Sequence, residues 1–259
     1  MFFTGVVPFG DSNRNPIDYQ FNLMQTYPDT RIVYFPMSIS YESPALLKKD
    51  KETLAQRDNV YMFLRDSHSL ALARKHFPSV HAEYLPDVVW TFGGQERAQQ
   101  AVVDVLILLD PEDSDLSVVK KALEKKNMKY EVWDISKPNM TLIAPYLDIT
   151  QPEHRDLWPS FRTQMFNKLL SRGKVLITDH LQASSFGSLL RIPVVYLDDS
   201  TKTIATTRSD LNALYPSACN DYTLNIHAAK NEFDAVTRAV ELVARVERES
   251  IYWAAYSNI

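Results

Sequence analysis

Three clusters of polar residues follow apolar segments of the sequence and contain the side chains that acid–base and anion-binding chemistry needs. They are Arg65-Asp66-Ser67 after "VYMFL", Asp179-His180 after "VLIT" and Asp198-Asp199-Ser200 after "VVYL". A histidine can donate or accept a proton near neutral pH, and an arginine can hold an anion through paired hydrogen bonds. An arginine that closes an apolar strand also needs a partner where it is buried. Arg65 is therefore expected either to pair with Asp66 or Asp87 or to face an anion in a cleft.

The turn at Asp179-His180 has a structural and a functional interpretation, and the residues leave both open. In the structural one, Asp179 and Gln182 form a capping box at the start of a helix, and the small residues up to Gly187 let that helix sit close to its sheet. In the functional one, the same helix N-terminus presents free N–H groups to an anion. His180 would then add a proton donor or a cation.

The residues beyond the Asp198-Asp199 turn also allow two interpretations. Lys202 and Arg208 are further cations on this side of the predicted sheet, and the alternative is a solvated loop. The acidic pair itself resembles a metal site or a strand-end turn, of which we favour the turn. No Cys/His cluster has zinc spacing, so no metal is predicted.

Strand and helix patterns alternate along the whole chain. Strands are predicted over residues 2–7, 31–36, 60–65, 85–90, 102–109 and 130–135. Helices are predicted over residues 16–26, 44–56, 67–77, 116–126, 159–172 and 231–255, and residues 174–199 add a strand, a helix and a strand. This alternation predicts two doubly wound, Rossmann-like α/β units, whose ligand sites lie outside the carboxyl ends of the strands. With a boundary near Gly93-Gly94, the units are residues 1–95 and 96–230, and residues 231–259 form a closing helix.

The composition is that of an ordinary globular protein and excludes several classes. The 259 residues are 45% hydrophobic and 23% charged, with a net charge of −4, so there is no basic footprint for nucleic acid. The single cysteine, Cys219, cannot form an internal disulfide. No run approaches the roughly 18 apolar residues of a membrane helix, so no membrane segment is predicted. The chain as written is expected in the cytoplasm, or in the secretory pathway if an upstream anchor is missing, and its oligomeric state is left open.

Four stretches resemble one family in order and spacing. "VLITDHLQASSFGSLLRIPVVYLDDS" resembles the signature region of polysaccharide pyruvyl transferases, in which a strand leads into Thr-Asp-Arg-Leu-His, a small-residue helix, "PVV" and an Asp-Asn-Ser turn. "TRIVYFPMSISYES" is similar to the family's strand and Pro-Gln-Ser-Ile turn. "VYMFLRDSHSLALARKHFP" is similar to its Arg-Asp/Glu-x-x-Ser helix entry, and "YLPDVVW" to its Pro-Asp turn. The resemblance runs over residues 1–245.

The resemblance implies a fold and a reaction. Members of the family have two domains in a GT-B-like arrangement, and the first unit of this chain is shorter than theirs. They transfer pyruvate from phosphoenolpyruvate to a pair of sugar hydroxyls as a ketal. The implied protein is therefore a pyruvyltransferase with a small-molecule donor and a sugar or glycan acceptor. Phosphoenolpyruvate is a substrate, and no cofactor is implied.

The resemblance also assigns roles to individual residues. The positions of catalytic groups are Arg65, His180 and Gln182. The donor side, in the C-terminal unit, is assigned Asp179, Leu181, Ser200 and Lys202. The acceptor side, in the N-terminal unit, is assigned Gly10, Asp11 and Asp87.

The sequence departs from the family's pattern at several of these positions. The arginine of the signature is His180 here, and its histidine is Gln182, which cannot act as an acid or base near neutral pH. The middle glycines of a glycine-rich loop are replaced in residues 5–11, "GVVPFGD". One alternative is therefore a non-catalytic descendant that binds a glycan, an anion or a protein partner. A third hypothesis is a nucleotide-sugar glycosyltransferase with the same kind of fold.

Overall fold

The computed structural model describes residues 1–3, 9–11, 14–111, 114–134, 152–198, 202–214 and 225–256. The chain divides into two compact units. The first contains Met1–Thr91 and Thr201–Pro216, and the second contains Phe92–Ser200 and Ser217–Ile259. The division after Thr91 lies four residues before the end of the predicted N-terminal unit. The observed division also differs from the predicted one in a second respect. The segment Thr201–Pro216, which was predicted to be part of the second unit, belongs to the first.

The first unit is built on a parallel sheet of four strands in the order β1-β3-β5-β6. The four are β1 (Phe2–Phe3), β3 (Ile32–Met37), β5 (Val60–Leu64) and β6 (His81–Tyr84). Two short strands, β2 (Phe9–Gly10) and β4 (Ile39–Ser40), pair separately and in parallel. The helices of this unit are α1 (Arg14–Thr26), α2 (Pro44–Leu54), α3 (Ser67–His76) and α7 (Thr203–Leu214).

One face of this sheet forms the core of the first unit. Alternate side chains such as Tyr34 and Met62 are buried against apolar residues of α1, α2 and α3. The opposite face includes Phe2, which is 69% exposed, and Phe35, which is 39% exposed. The period-2 alternation of the strands thus separates a helix-covered face from one that carries exposed aromatic rings.

A buried ion cluster links α1 to α2 in the first unit. Asp50 is completely buried and accepts a hydrogen bond of 2.6 Å from each terminal nitrogen of Arg14. The Tyr41 hydroxyl donates to the same carboxylate at 2.6 Å. Burial and this carboxylate together raise the pKa of Tyr41 far above its ordinary value. The cluster has a structural role, because its charges are fully paired.

The second unit is a parallel sheet of five strands in the order β11-β10-β9-β7-β8. The strands are β7 (Val103–Leu108), β8 (Tyr130–Val132), β9 (Gly173–Thr178), β10 (Val194–Leu197) and β11 (Ile226–Ala229). The helices are α4 (Leu116–Lys125), α5 (Pro152–Leu170), α6 (Leu181–Leu189) and α8 (Glu232–Tyr256). The strand order reverses direction between β7 and β9. In a doubly wound sheet such a switch point opens a crevice outside the carboxyl ends of the strands, where ligands bind.

Helices pack on both faces of this second sheet. Val105 and Ile177 belong to a core cluster with residues of α4 and α8. On the other face, α6 lies so close that a Cβ atom at Gly187 would be 3.1 Å from Leu176 and 3.2 Å from Val194. The predicted close packing of the small-residue helix is thereby explained, and the α/β class with parallel sheets is confirmed.

One predicted strand is wrong. Residues 85–90 contain no strand; β6 ends at Tyr84 and a 3₁₀ helix covers Val88–Phe92. Pro86 has no N–H group for a ladder, and the Asp87 carboxylate accepts the Val89 N–H at 3.1 Å, which turns the chain. The other predicted elements are found with shifted ends, the largest shift being the start of α5 at Pro152. Of the strand predicted over residues 2–7, Phe2–Phe3 is a strand and residues 4–7 lie outside the described residues.

Candidate functional site

Arg65 directly follows β5, and its side chain is only 6% exposed. Its Nε atom donates to the Ser38 hydroxyl at 2.8 Å, and Nη1 lies 3.4 Å from Oδ2 of Asp87. Of the two carboxylates considered from the sequence, Asp87 is thus the one that pairs directly with the guanidinium. This pairing satisfies the requirement of a buried arginine for a partner. A role of Arg65 in donor binding stays a prediction.

Ser38 connects Arg65 to a buried hydrogen-bond network. The Ser38 hydroxyl donates to Oδ2 of Asp66 at 2.8 Å, and the Ser69 hydroxyl donates to the same oxygen at 2.8 Å. Oδ1 of Asp66 accepts the Ser69 N–H at 2.7 Å and so caps α3. The Ser69 hydroxyl in turn accepts the Ile39 N–H at 2.8 Å. The turn after β3 and the first turn of α3 are therefore held together by bonds in which each hydroxyl both donates and accepts.

A small cavity of about 20 Å³ adjoins this network in the first unit. It is lined by Ser38, Ile39, Ser40, Asp66, His68, Ser69, Thr203 and Thr206. The volume is that of about one water molecule. His68, which lies between Asp66 and Ser69 beyond the carboxyl end of β5, was not among the residues predicted from the sequence.

Gly10 and Asp11 have structural contacts in the first unit. Gly10 has a φ of +143°, and a Cβ atom there would lie 1.8 Å from the carbonyl oxygen of Ser40, so only glycine fits. Oδ2 of Asp11 accepts the N–H groups of Glu42 and Ser43 at 2.5 and 2.6 Å. These bonds hold the segment that leads into α2. The predicted acceptor-side role of both residues stays a prediction.

In the second unit, Asp179 lies at the switch point of the sheet. Asp179 follows β9 and Asp110 follows β7, the two strands between which the order reverses. Oδ2 of Asp179 accepts the Asp110 N–H at 2.8 Å. The carboxylate therefore bridges the carboxyl ends of the two strands that border the expected ligand crevice.

The predicted capping box at this turn is wrong. The N-cap residue of α6 is His180, whose side chain makes no cap hydrogen bond. The Asp179 carboxylate is directed to Asp110, and the Thr178 hydroxyl accepts the His180 N–H at 3.1 Å. Because no side chain among the described residues caps the helix, the N–H groups of its first turn, at Leu181 and the two following residues, are available to a ligand in this part of the structure.

The electrostatics of this turn combine a buried carboxyl group with a half-buried imidazole. The Asp179 side chain is 13% exposed, and its Oδ1 atom, buried without a hydrogen-bond partner among the described residues, lies 3.4 Å from Nε2 of His180. Burial raises the pKa of the Asp179 carboxyl group, an effect that the Asp110 N–H and the nearby His180 partly offset. A carboxyl–imidazole pair at an uncapped helix N-terminus can exchange protons and attract an anion.

The remaining predicted site residues are Leu181, Gln182, Lys202 and Ser200. Leu181 is buried at the start of α6, and Gln182 is partly exposed in its first turn. Lys202 is exposed, has a φ of +53° and precedes α7, which places it in the first unit. Ser200 and Asp199 lie outside the described residues. The structure thus brings Arg65 together with Asp87, and Asp179 together with His180, in two different units.

Within the described part of the chain, no group of three or more His, Cys, Asp or Glu side chains is arranged to hold a metal ion. None of the helices described here is long and apolar enough to cross a membrane.

A family model described as polysaccharide pyruvyl transferase matches residues 6–200, which include Arg65 and the Asp179 turn. The chain belongs to this family. Pyruvyl transferase 1 of Schizosaccharomyces pombe is 26% identical over 209 residues, which are 76% of this chain and 51% of the yeast protein. EpsO of Bacillus subtilis, whose name assigns it provisionally to the pyruvyl transferases, is 31% identical over 80 residues, which are 31% of this chain and 25% of EpsO. The chain thus spans about half the length of one relative and a quarter of the other.

Solved structures with distant similarity also exist. A structure of accessory secretory proteins 1, 2 and 3 of Streptococcus pneumoniae aligns with 92% of this chain and 56% of its own, at 12% identity and a TM-score of 0.37. A structure of the wall teichoic acid polymerase TagF aligns with 96% of this chain and 80% of its own, at 11% identity and a TM-score of 0.31. The family membership rests on the sequence match, and these scores add nothing to it.

Proposed function

We propose that this protein transfers pyruvate from phosphoenolpyruvate to a pair of sugar hydroxyls, forming a ketal. The observation that carries the proposal is the Asp179-His180 pair at the uncapped N-terminus of α6, at the switch point of a parallel sheet. This turn lies inside the region that matches the family, and both relatives carry pyruvyl transferase in their names. No cofactor is proposed beside the donor substrate.

The reaction needs two kinds of help that these residues supply. One hydroxyl gives its proton to a base and adds through its oxygen to C2 of the enol phosphate, while C3 takes up a proton and becomes a methyl group. The second hydroxyl then displaces the phosphate from C2, and its proton leaves with the phosphate or to solvent. The anionic donor requires N–H donors and cations, and the proton transfers require an acid or base near neutral pH. The first turn of α6 provides the donors, and His180 provides the titrating group. Arg65 is proposed to hold donor charge, in the role that the family resemblance gives it.

Phosphate release from phosphoenolpyruvate in the presence of a galactose-containing acceptor tests the proposal. We expect His180→Gln to lower kcat by roughly 10²-fold or more, since a glutamine cannot transfer the proton. The matched control is His81→Gln, because His81 is an exposed histidine stacked on Tyr61 in the first unit. The proposal is wrong if the wild-type chain releases no phosphate, or if His180→Gln turns over as fast as wild type.

The alternative function is ligand binding without turnover. It is favoured by His180 and Gln182, which stand where the family signature has an arginine and a histidine. Gln182 can hydrogen-bond a ligand and cannot move a proton at this pH. Under this alternative, calorimetry detects binding of phosphoenolpyruvate or a glycan while phosphate release stays at the uncatalysed rate. Measured turnover that depends on His180 would exclude it.

A further inference from the structure

The two oxygens of the Asp179 carboxylate have different surroundings in the second unit. Oδ2 accepts the Asp110 N–H at 2.8 Å, so this oxygen is fixed to the end of the neighbouring strand. Oδ1 is buried, has no hydrogen-bond partner among the described residues, and lies 3.4 Å from Nε2 of His180. The carboxylate is thus held at one oxygen, and its other oxygen faces a single imidazole nitrogen.

The backbone of His180 is fixed on both sides of the ring. Its N–H donates to the Thr178 hydroxyl at 3.1 Å, and its carbonyl oxygen accepts the Ser184 N–H at 2.9 Å. The imidazole, which is 30% exposed, is therefore placed beside Asp179 by the end of β9 and the first turn of α6. Within the described ranges no hydrogen bond engages its Nδ1 atom. Nε2 is thus the ring nitrogen with a protein neighbour, and Nδ1 is left for a ligand.

The chemistry of this pair determines which nitrogen carries the proton. An ionised carboxylate can only accept a hydrogen bond, so the imidazole must be the donor. A distance of 3.4 Å is long for such a bond, and contacts of this kind in unliganded sites often tighten when substrate binds. In a neutral ring, a proton on Nε2 leaves the lone pair on Nδ1. The group that holds one nitrogen of a histidine thereby decides which nitrogen can accept a proton.

We infer that Asp179 is a positioning residue that holds His180 in the Nε2–H tautomer, and that Nδ1 accepts the proton of the attacking sugar hydroxyl. The inference rests on the proposed function and names the base of that reaction. The hydroxyl proton passes to Nδ1 while an electron pair of the hydroxyl oxygen forms the bond to C2 of phosphoenolpyruvate. The electrons of the donor double bond form the new C3–H bond with a proton from solvent. The imidazolium, which has a proton on each nitrogen, is stabilised by the Asp179 carboxylate and then returns one proton to solvent.

Asp179→Asn is expected to invert the tautomer without changing the size of the side chain. The Asp110 N–H still requires an acceptor, so it selects the amide oxygen of the new side chain. The amide NH₂ group then takes the position of Oδ1 and donates to Nε2 of His180, which forces the ring proton onto Nδ1. ¹⁵N NMR at a pH well above the ordinary histidine pKa distinguishes the two tautomers. We expect Nε2–H in wild type and Nδ1–H in the variant; the same tautomer in both proteins, or Nδ1–H in wild type, overturns the inference.

Asp104→Asn is the matched control. Asp104 is a carboxylate of the same sheet that also accepts a backbone N–H, from Lys129 at 2.9 Å, and its charged partner is Lys174. This variant should keep the wild-type tautomer of His180 and the wild-type rate of phosphate release. Asp179→Asn should lower kcat by roughly 10²-fold or more, because Nδ1 can no longer accept a proton. Its dissociation constant for phosphoenolpyruvate in calorimetry should not rise, since the substitution removes a negative charge beside an anion.

The two measurements separate this inference from the proposed function. An inverted tautomer with a wild-type kcat in Asp179→Asn overturns the role of Nδ1 as the base and leaves pyruvate transfer intact. A wild type that releases no phosphate refutes the proposed function and the base role with it, while the NMR comparison still decides whether Asp179 sets the tautomer. Weaker binding of phosphoenolpyruvate by Asp179→Asn would indicate a disturbed turn and would contradict the inference.

Discussion

Replacing Arg65 with lysine tests how much the buried network contributes to the first unit. Lysine keeps the positive charge and can still reach Asp87, but it has no counterpart of the Nε atom that donates to Ser38 at 2.8 Å. The Ser38 hydroxyl would still donate to Asp66 and would lack the hydrogen bond that it now accepts. A hydrogen bond to a charged group contributes about 1.5–3 kcal/mol when buried, so the free energy of unfolding should fall by that amount.

Urea unfolding and hydrogen exchange measure this loss. The control is Arg74→Lys, because Arg74 is an exposed arginine in α3 of the same unit and should change stability by less than about 0.5 kcal/mol. Hydrogen exchange should also accelerate at the Ile39 N–H, which donates to Ser69 at the far end of the network. The reasoning is refuted if Arg65→Lys is as stable as Arg74→Lys and the exchange rate of Ile39 is unchanged.

Three further changes probe separate parts of the molecule. Gly10→Ala should destabilise by about 3 kcal/mol or more in thermal unfolding, because the new Cβ atom would lie 1.8 Å from Ser40; a wild-type melting temperature would contradict this. Asp179→Asn should gain stability relative to wild type as the pH rises above about 4, the ordinary pKa of aspartate in an unfolded chain. The sign follows because burial raises the folded-state pKa, so the ionised wild-type carboxylate opposes folding at high pH; a difference that shrinks with rising pH in melting curves would be inconsistent with it. His180→Arg combined with Gln182→His restores the family's pair and should raise phosphate release above wild type, whereas a folded double variant that is slower would count against the assigned roles.

The sequence was informative where local pattern decides structure and less so where distant residues meet. Apolar residues around Leu85 and Val88 mimic a strand, but the Pro86-Asp87 turn prevents ladder pairing there. The capping box has the right spacing, yet the carboxylate of Asp179 bonds to a residue 69 positions away. Long-range partners of this kind follow from strand order, which spacing alone does not specify.

The switch point of the second sheet could be predicted from the sequence only in part. Alternating apolar strands and helices predicted that the polar residues after β9 would border a ligand crevice. The order β11-β10-β9-β7-β8 was needed to see that β7 is the neighbour across that crevice. His68 was overlooked for a related reason, since its cavity also includes Thr203 and Thr206, more than 130 positions later in the sequence.

The residues that match the family and those that depart from it have different structural constraints. Ser38 and Asp66 belong to a closed set of buried bonds with Arg65, so that replacing one of them leaves another polar group unpaired. His180 and Gln182 are in the opposite situation, because the described structure gives neither side chain a cap hydrogen bond and both are partly exposed. Substitution there changes what the turn can do to a ligand at little cost to folding. The departures at these two positions therefore do not by themselves indicate a lost function. Whether the protein catalyses the reaction or only binds its ligand depends on the chemistry of His180.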